Sequence, residues 1–306
     1  MSARYPFFKG MMPILPSVLH EDGSPDLEAQ GRLVEYVLSC GAVAVGHMAG
    51  ASEYYKISEY DRGPMIRALT EQVGGRVPVF IGTTDVARKT ALRQAEEAAD
   101  QGADLIMVCS PIVGNMPESE LLKYYEDVGK ATELPVIMQD TGASSGKYSA
   151  DFMLRVIDRV PNLGYVKAEG VNCLPKAKKL IETLDGEVQV IGGSGGFEMP
   201  TLLRLGVTAF MTGTECVDVH DDCIRTFFAG EEEKAEQLYH LTILSYLRFF
   251  TVESRFALKH MLCRRGVLDN TVLPFPVEAE EPDPFLVAEL DRTLDRINAI
   301  RGKKVL

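Results

Sequence analysis

The sequence predicts an α/β protein, a (β/α)8 TIM barrel with a C-terminal helical extension. Three observations lead there. Eight short apolar runs recur through the first two thirds of the 306 residues, rich in Val, Ile and Met, as strands covered on both faces require. Between them lie longer segments with apolar residues at helical spacing, and strand then helix repeated eight times within about 215 residues is the barrel pattern. No GxGxxG fingerprint follows the first run, which weakens a doubly wound open sheet, the chief competitor.

In chain order, the expected strands are Met11 to Leu15, Ala42 to Val45, Val77 to Ile81, Leu105 to Cys109, Val136 to Met138, Gly164 to Lys167, Val188 to Ile191 and Ala209 to Met211. Pro78 and Pro135 stand at strand starts, where a missing N–H does little harm. Helical patterns run over Leu27 to Ser39, Ala87 to Gln101, Ser119 to Ala131, Ala150 to Val160 and Leu174 to Leu184. Gly192 to Gly196, GGSGG, follows the seventh run and reads as a tight turn where backbone approaches a ligand. The barrel is expected to occupy 1–221 and the helical extension 222–306. Leu238, Leu241, Leu244, Leu247 and Phe250 lie on apolar stripes there, followed by a Pro-rich connector, Leu273 to Pro284, and a last helix, Pro284 to Ile300.

The composition narrows the function classes. Hydrophobic residues make up 46% and charged residues 25%, the balance of a chain with a core. With 32 Lys plus Arg against 44 Asp plus Glu, the net charge is −12, which repels phosphate backbones and anionic membranes. No apolar run approaches the roughly 20 residues that span a bilayer, and the N-terminus lacks the pattern of a signal peptide. The six cysteines are scattered without a CxxC pair, as in a reducing compartment. A cytoplasmic protein with no nucleic-acid or membrane partner is expected.

In a barrel, chemistry gathers at the C-terminal ends of the strands. One cation stands out there: Lys167 closes the apolar stretch Leu163 to Val166, and alternation puts Tyr165 and Lys167 on one face. If that face lines the barrel mouth, desolvation favours the free amine, which can attack a ketone. The alternative is a strand-end lysine that reaches solvent or pairs with Glu169.

Several pieces in order resemble the dihydrodipicolinate synthase/N-acetylneuraminate lyase family of Schiff-base lyases. They are Met12-Pro13-Ile14-Leu15-Pro16 followed by Glu21-Asp22-Gly23-Ser24, the element Ala49 to Glu53, Gly82-Thr83-Thr84-Asp85, Gly102-Ala103-Asp104, Leu134 to Met138 and Tyr165-Val166-Lys167-Ala168-Glu169. The resemblance implies that Lys167 forms an imine with the 2-oxo group of pyruvate or a longer 2-oxo acid. It also implies a homotetramer with a small-molecule substrate, and chemistry that calls for no cofactor and no metal.

The departures refine this. The family's GTTGE-like element after the second strand appears as Ala49-Gly50-Ala51-Ser52-Glu53, without the two adjacent hydroxyls, its Pro-Tyr-Tyr as Pro111-Ile112-Val113, and the tyrosine ending the fifth strand as Gln139. The synthase's carboxylate-binding arginine aligns near Ser144. Without the phenol relay, synthase activity is not expected. Gln139-Asp140, Ala49-Gly50-Ala51-Ser52-Glu53, Tyr165-Val166-Lys167-Ala168-Glu169 and Lys259 to Gly266 resemble the branch containing 2-keto-3-deoxy-L-arabonate dehydratase. That branch implies dehydration of a 2-keto-3-deoxy sugar acid to 2-oxoglutarate semialdehyde. The alternatives are a pyruvate-dependent aldolase of the same family and a non-catalytic barrel that binds a 2-oxo acid.

By the same resemblance, Ala51, Ser52 and the backbone N–H groups around them hold the substrate carboxylate; otherwise Ser52 is a helix cap. Gln139 stands where a phenol is expected and orients a substrate hydroxyl or the leaving water. Asp140 either shuttles a proton or braces the next loop. Gly193 and Ser194 contact the sugar-acid chain or form a bare turn, and Glu169 pairs with a cation or caps a loop. A metal reading of His47 or of Cys216, Asp218, His220, Asp221, Asp222 and Cys223 competes with helix-terminal charging of those acids, which is favoured.

Overall fold

The computed structural model describes residues 2–111, 116–141, 148–170, 172–250, 254–277 and 282–302. Ile112, Val113 and Ser144, singled out from the sequence, lie outside them.

Eight parallel strands, β1 (Gly10–Met11), β2 (Val45–His47), β3 (Val79–Gly82), β4 (Leu105–Val108), β5 (Val136–Gln139), β6 (Leu163–Ala168), β7 (Gln189–Gly192) and β8 (Ala209–Phe210), pair in the order β1-β8-β7-β6-β5-β4-β3-β2. Chain just past β1 bridges in parallel to β2 at Ile14 and Gly46, with Leu15 N–H donating to the Gly46 carbonyl at 2.8 Å. The sheet thereby closes into a (β/α)8 barrel. The eight apolar runs and the strands coincide to within a few residues.

Around the barrel run α1 (Leu27–Ser39), α2 (Glu59–Val73), α3 (Arg88–Asp100), α4 (Glu118–Lys130), α5 (Ala150–Arg159), α6 (Cys173–Leu184), α7 (Met199–Arg204) and α8 (Val217–Phe228). Asp26, Ser58 and Ser149 cap α1, α2 and α5, each side chain accepting a backbone N–H of the first turn. The helix pattern over α2 is interrupted by Gly63 and Pro64, yet Arg62, Met65, Ile66 and Leu69 still face inward. Tertiary packing overrides the weak local propensity there.

Two apolar layers result. Met12, Ile14, Phe80, Leu105, Met107, Ile137, Tyr165 and Ile191 fill the barrel interior, while the larger cluster lies between strands and helices. Tyr165 and Lys167 do share the inner face, at different depths. Tyr165 packs against Tyr5 and Phe8 and donates its hydroxyl to the Pro6 carbonyl at 2.9 Å, plugging the N-terminal end. Lys167 is one step nearer the mouth.

Beyond the barrel stand α9 (Glu232–Leu241), α10 (Ile243–Leu247), α11 (Ser254–Arg264) and α12 (Pro284–Ile300). The division expected at 221/222 falls inside the unbroken helix α8. Asp221 and Asp222 ion-pair with Arg225 along that helix, and Asp218 and Asp222 take Arg301 from the end of α12. The helical stripe breaks at Thr242, so Leu247 is buried while Leu241 and Leu244 are exposed. No helix among the described residues is long and apolar enough to cross a membrane.

Lys259 of α11 is buried and donates to the Val272 carbonyl. Burial pulls its ammonium down to about 8, only partly opposed by Glu53. A depressed lysine contributes stability that is complete above its unfolded value near 10.5 and is lost as pH falls through 8. Lys259→Met, which keeps the stem's volume, is therefore expected to flatten the rise in stability between pH 8 and 10, by roughly 2–3 kcal/mol. Urea unfolding at both pH values in both proteins checks this.

Candidate active site

Lys167 ends β6 with its side chain almost wholly buried, and its Nζ lies 3.3 Å from Oε2 of Glu169. Two residues along an extended backbone return to the same side, so Glu169 follows Lys167 into the barrel mouth. The Glu169 carboxylate is held from two further directions. Gln139 Nε2 donates to its Oε1 at 2.6 Å, and the Ser194 backbone N–H donates to its Oε2 at 2.9 Å. Gln139 and Lys167 are register partners across β5 and β6, which places amide and amine side by side.

Gly193 explains itself in the same place. A Cβ there would sit 2.4 Å from Glu169 Oε2, so glycine lets β7 approach the carboxylate. Ser194 takes a left-handed φ of 51°, which turns its N–H toward Glu169, and its hydroxyl accepts from Gly170 N–H at 3.3 Å.

These groups open onto a cavity of about 190 Å3. Lys167, Gln139, Glu169, Thr141, Ser194 and Gly195 line one side, Gly50 and Ala51 another, and Arg255 and Leu258 of α11 reach over it. A volume of that order suits a small organic acid.

The structure brings Lys167, Gln139, Ala51 and Ser194 together around this cavity. It does not bring Ser52, Asp140 or the Gly193 side of the turn into its lining. The Ser52 hydroxyl donates to the Leu15 carbonyl at 2.6 Å and accepts from Ala49 N–H at 3.3 Å, bracing the loop from behind. The loop nevertheless lines the cavity through Gly50 and Ala51.

Asp140 faces the opposite way from Gln139, as alternation requires. It is fully buried and ion-paired with Lys176 of α6, while its backbone N–H extends the ladder to the Lys167 carbonyl at 3.1 Å. Burial outweighs the ammonium and raises its carboxyl to about 6. This geometry braces the strand ends and gives Asp140 no access to the cavity. Lys176→Met should strand the carboxylate and destabilise the fold by about 3 kcal/mol at pH 8. The deficit shrinks as pH falls from 8, because Asp140 without the ammonium takes up a proton at higher pH than the paired carboxyl does, and the pair Asp140→Leu with Lys176→Met recovers most of it. Denaturant midpoints at pH 5 and 8 measure both effects.

The residues weighed as metal ligands are engaged elsewhere. His47 is buried, accepts the Met48 N–H at its Nδ1, and is pushed down to about 3 by burial and Arg62. His220 spans the carbonyls of Cys216 and Gly195, and Asp218 is gripped by Arg265 and Arg301. Among the described residues, no three His, Cys, Asp or Glu side chains converge.

Glu169 and Arg255 carry more of the site than the sequence alone assigned them. For Glu169 the signal was its spacing of two from Lys167; for Arg255, 88 residues further on, local sequence held none.

A closed (β/α)8 barrel whose polar and ionisable side chains gather in a cavity at the C-terminal strand ends has the layout of a barrel enzyme. The chain belongs to the dihydrodipicolinate synthetase family, whose model matches residues 7–288, and it is a lyase of that family. It is 27% identical over 292 residues to the L-2-keto-3-deoxyarabonate dehydratase of Azospirillum brasilense, covering 92% of this chain and 93% of that one. It is 24% identical over 298 residues to a 4-hydroxy-tetrahydrodipicolinate synthase of Psychrobacter arcticus, with 95% and 96% covered. Among solved structures, YagE, a prophage protein of the dihydrodipicolinic acid synthase family from Escherichia coli K12 in complex with pyruvate, superposes with a TM-score of 0.87. The identity there is 21%, over 96% of this chain and 99% of that one.

Proposed function

We propose that the protein is a Schiff-base hydro-lyase of 2-keto-3-deoxy sugar acids, converting 2-keto-3-deoxy-L-arabonate to 2-oxoglutarate semialdehyde. The observation that carries this reading is the Lys167–Glu169–Gln139 cluster: an amine, a carboxylate and an amide in one cavity, with no phenol on β5. The similarity to the Azospirillum brasilense dehydratase supports the same choice.

The substrate's C1 carboxylate lies against the backbone of Gly50 and Ala51, which presents C2 to Lys167. The amine adds to the C2 carbonyl and water leaves, giving an iminium that withdraws electrons from C3. Glu169, beside the nitrogen that stays cationic in the iminium, takes the C3 proton. The resulting enamine breaks the C4–O bond, and the same carboxyl returns its proton to the departing hydroxyl as water. Loss of a C5 proton with reprotonation at C3 gives a C4=C5 enol, the hydroxyl proton of that enol moves to C4, and hydrolysis of the imine releases the semialdehyde and restores the amine. Substrate minus one water equals product. Gln139 holds Glu169 in line through its 2.6 Å hydrogen bond and orients the leaving oxygen.

No C–C bond breaks, so a base for a C4 alkoxide is unnecessary, which fits glutamine in place of tyrosine. We place the enzyme in the cytoplasm as a homotetramer, following the family resemblance. Incubation with 2-keto-3-deoxy-L-arabonate and product analysis tests the reaction: semialdehyde as the main product is expected. Release of pyruvate with an aldehyde would make it an aldolase, and no turnover of any 2-keto-3-deoxy acid would leave only a binding barrel.

A further inference from the structure

Arg255 is an anomaly in the helical extension. Arg248, Arg264, Arg265 and Arg301 each pair with a carboxylate of the extension or of α8. Arg255, half-buried in the first turn of α11, has no ion-pair or hydrogen-bond partner among the described residues. Glu215, buried behind Gly213, feels its charge without pairing with it. Its side chain instead lines the cavity that holds Lys167.

Its placement is fixed by helix geometry. Residues three apart share a face, and Arg255 and Leu258 both line the cavity. Leu258 is buried over Gly213, where a Cβ would come within 2.9 Å of its side chain, and Leu262 and Met261 anchor the next turn in the core. Buried Lys259 ties the same turn to Val272. The guanidinium is thus carried on a rooted helix.

Among the described lining residues the other charges, Lys167 and Glu169, neutralise each other, so Arg255 leaves one positive charge without a partner there. A half-desolvated guanidinium with free donors is best satisfied by oxygen acceptors, and most strongly by a carboxylate taken side-on. The C1 carboxylate is already served at Gly50 and Ala51 on the reading above. We propose that Arg255 is the specificity residue for the end of the substrate remote from C2. It binds the terminal oxygens of a five- or six-carbon 2-oxo acid, the C5 hydroxyl of the proposed substrate among them, and a carboxylate at that end is its strongest probe. This rests on the imine reading and extends it from the reacting carbons to chain length and end group.

The test uses borohydride trapping of the full chain with three 2-oxo acids. Pyruvate has no distal end, while 2-oxopentanoate and 2-oxoglutarate share a five-carbon chain and differ only in the terminal carboxylate. In the unmodified protein, half-maximal trapping of Lys167 is expected at about tenfold lower 2-oxoglutarate than 2-oxopentanoate, the worth of one charge-assisted contact. In Arg255→Gln that preference collapses to near unity while pyruvate trapping stays unchanged, which also reports an intact fold. Arg255→Lys, a point charge without the fork, falls between. A preference that survives Arg255→Gln overturns the proposal, as does a parallel loss for pyruvate, which would place Arg255 at C1. Failure of pyruvate to trap in the unmodified protein overturns the imine reading itself.

Discussion

Lys167→Ala is expected to abolish turnover of 2-keto-3-deoxy acids, by on the order of 10⁴-fold or more in kcat. The variant should still fold. Its side chain ends in the cavity, so removal deletes the ion pair with Glu169 without opening a void in the apolar layers. Lys167→Arg should be as inactive, although it restores the pairing charge with Glu169, because a guanidinium is not a nucleophile at neutral pH. That contrast separates chemistry from electrostatics. Measurable turnover in either variant, with an unchanged unfolding midpoint, would remove the lysine from the mechanism.

Glu169→Gln carries the second largest effect. An amide keeps the shape and can still meet Gln139 and the Ser194 N–H, but it cannot take or return a proton. The expected loss is about 10²- to 10⁴-fold in kcat, the range for removing a positioned acid–base group. Imine formation should persist, so pyruvate is still trapped on Lys167 while dehydration stalls. Gly193→Ala acts on the same carboxylate from outside, since its Cβ would meet Glu169 Oε2 at 2.4 Å. A Glu169→Gln enzyme that dehydrates at the normal rate would show that the proton goes elsewhere.

Much of this arrangement could be read in the sequence. Lysine at the end of an apolar run could be placed at a strand terminus, and period-two alternation put Tyr165 and Lys167 on one face. The barrel followed from repeated short runs and helical stripes, since the local pattern of most elements, α2 excepted, agrees with their place in the fold. What escaped depended on contacts between distant segments. Gly193 is small because of a carboxylate 24 residues earlier, Ser52 spends its hydroxyl on Leu15, and Asp140 is claimed by Lys176. The boundary expected at 221/222 falls within α8, where Asp222 faces Arg225 and Arg301. Nothing local marks Arg255 as a cavity residue, because its helix is brought over the mouth only by the fold of the whole extension.

Reduction of the protein with borohydride in the presence of pyruvate, followed by peptide mapping, addresses the covalent step without reference to any particular sugar acid. Among the described residues three buried lysines compete for the label: Lys167 in the cavity, Lys176 paired to Asp140, and Lys259, whose ammonium burial draws down to about 8. A single adduct on the peptide bearing Lys167 is the predicted result. An unmodified Lys167, or the adduct on Lys176 or Lys259 instead, would contradict it.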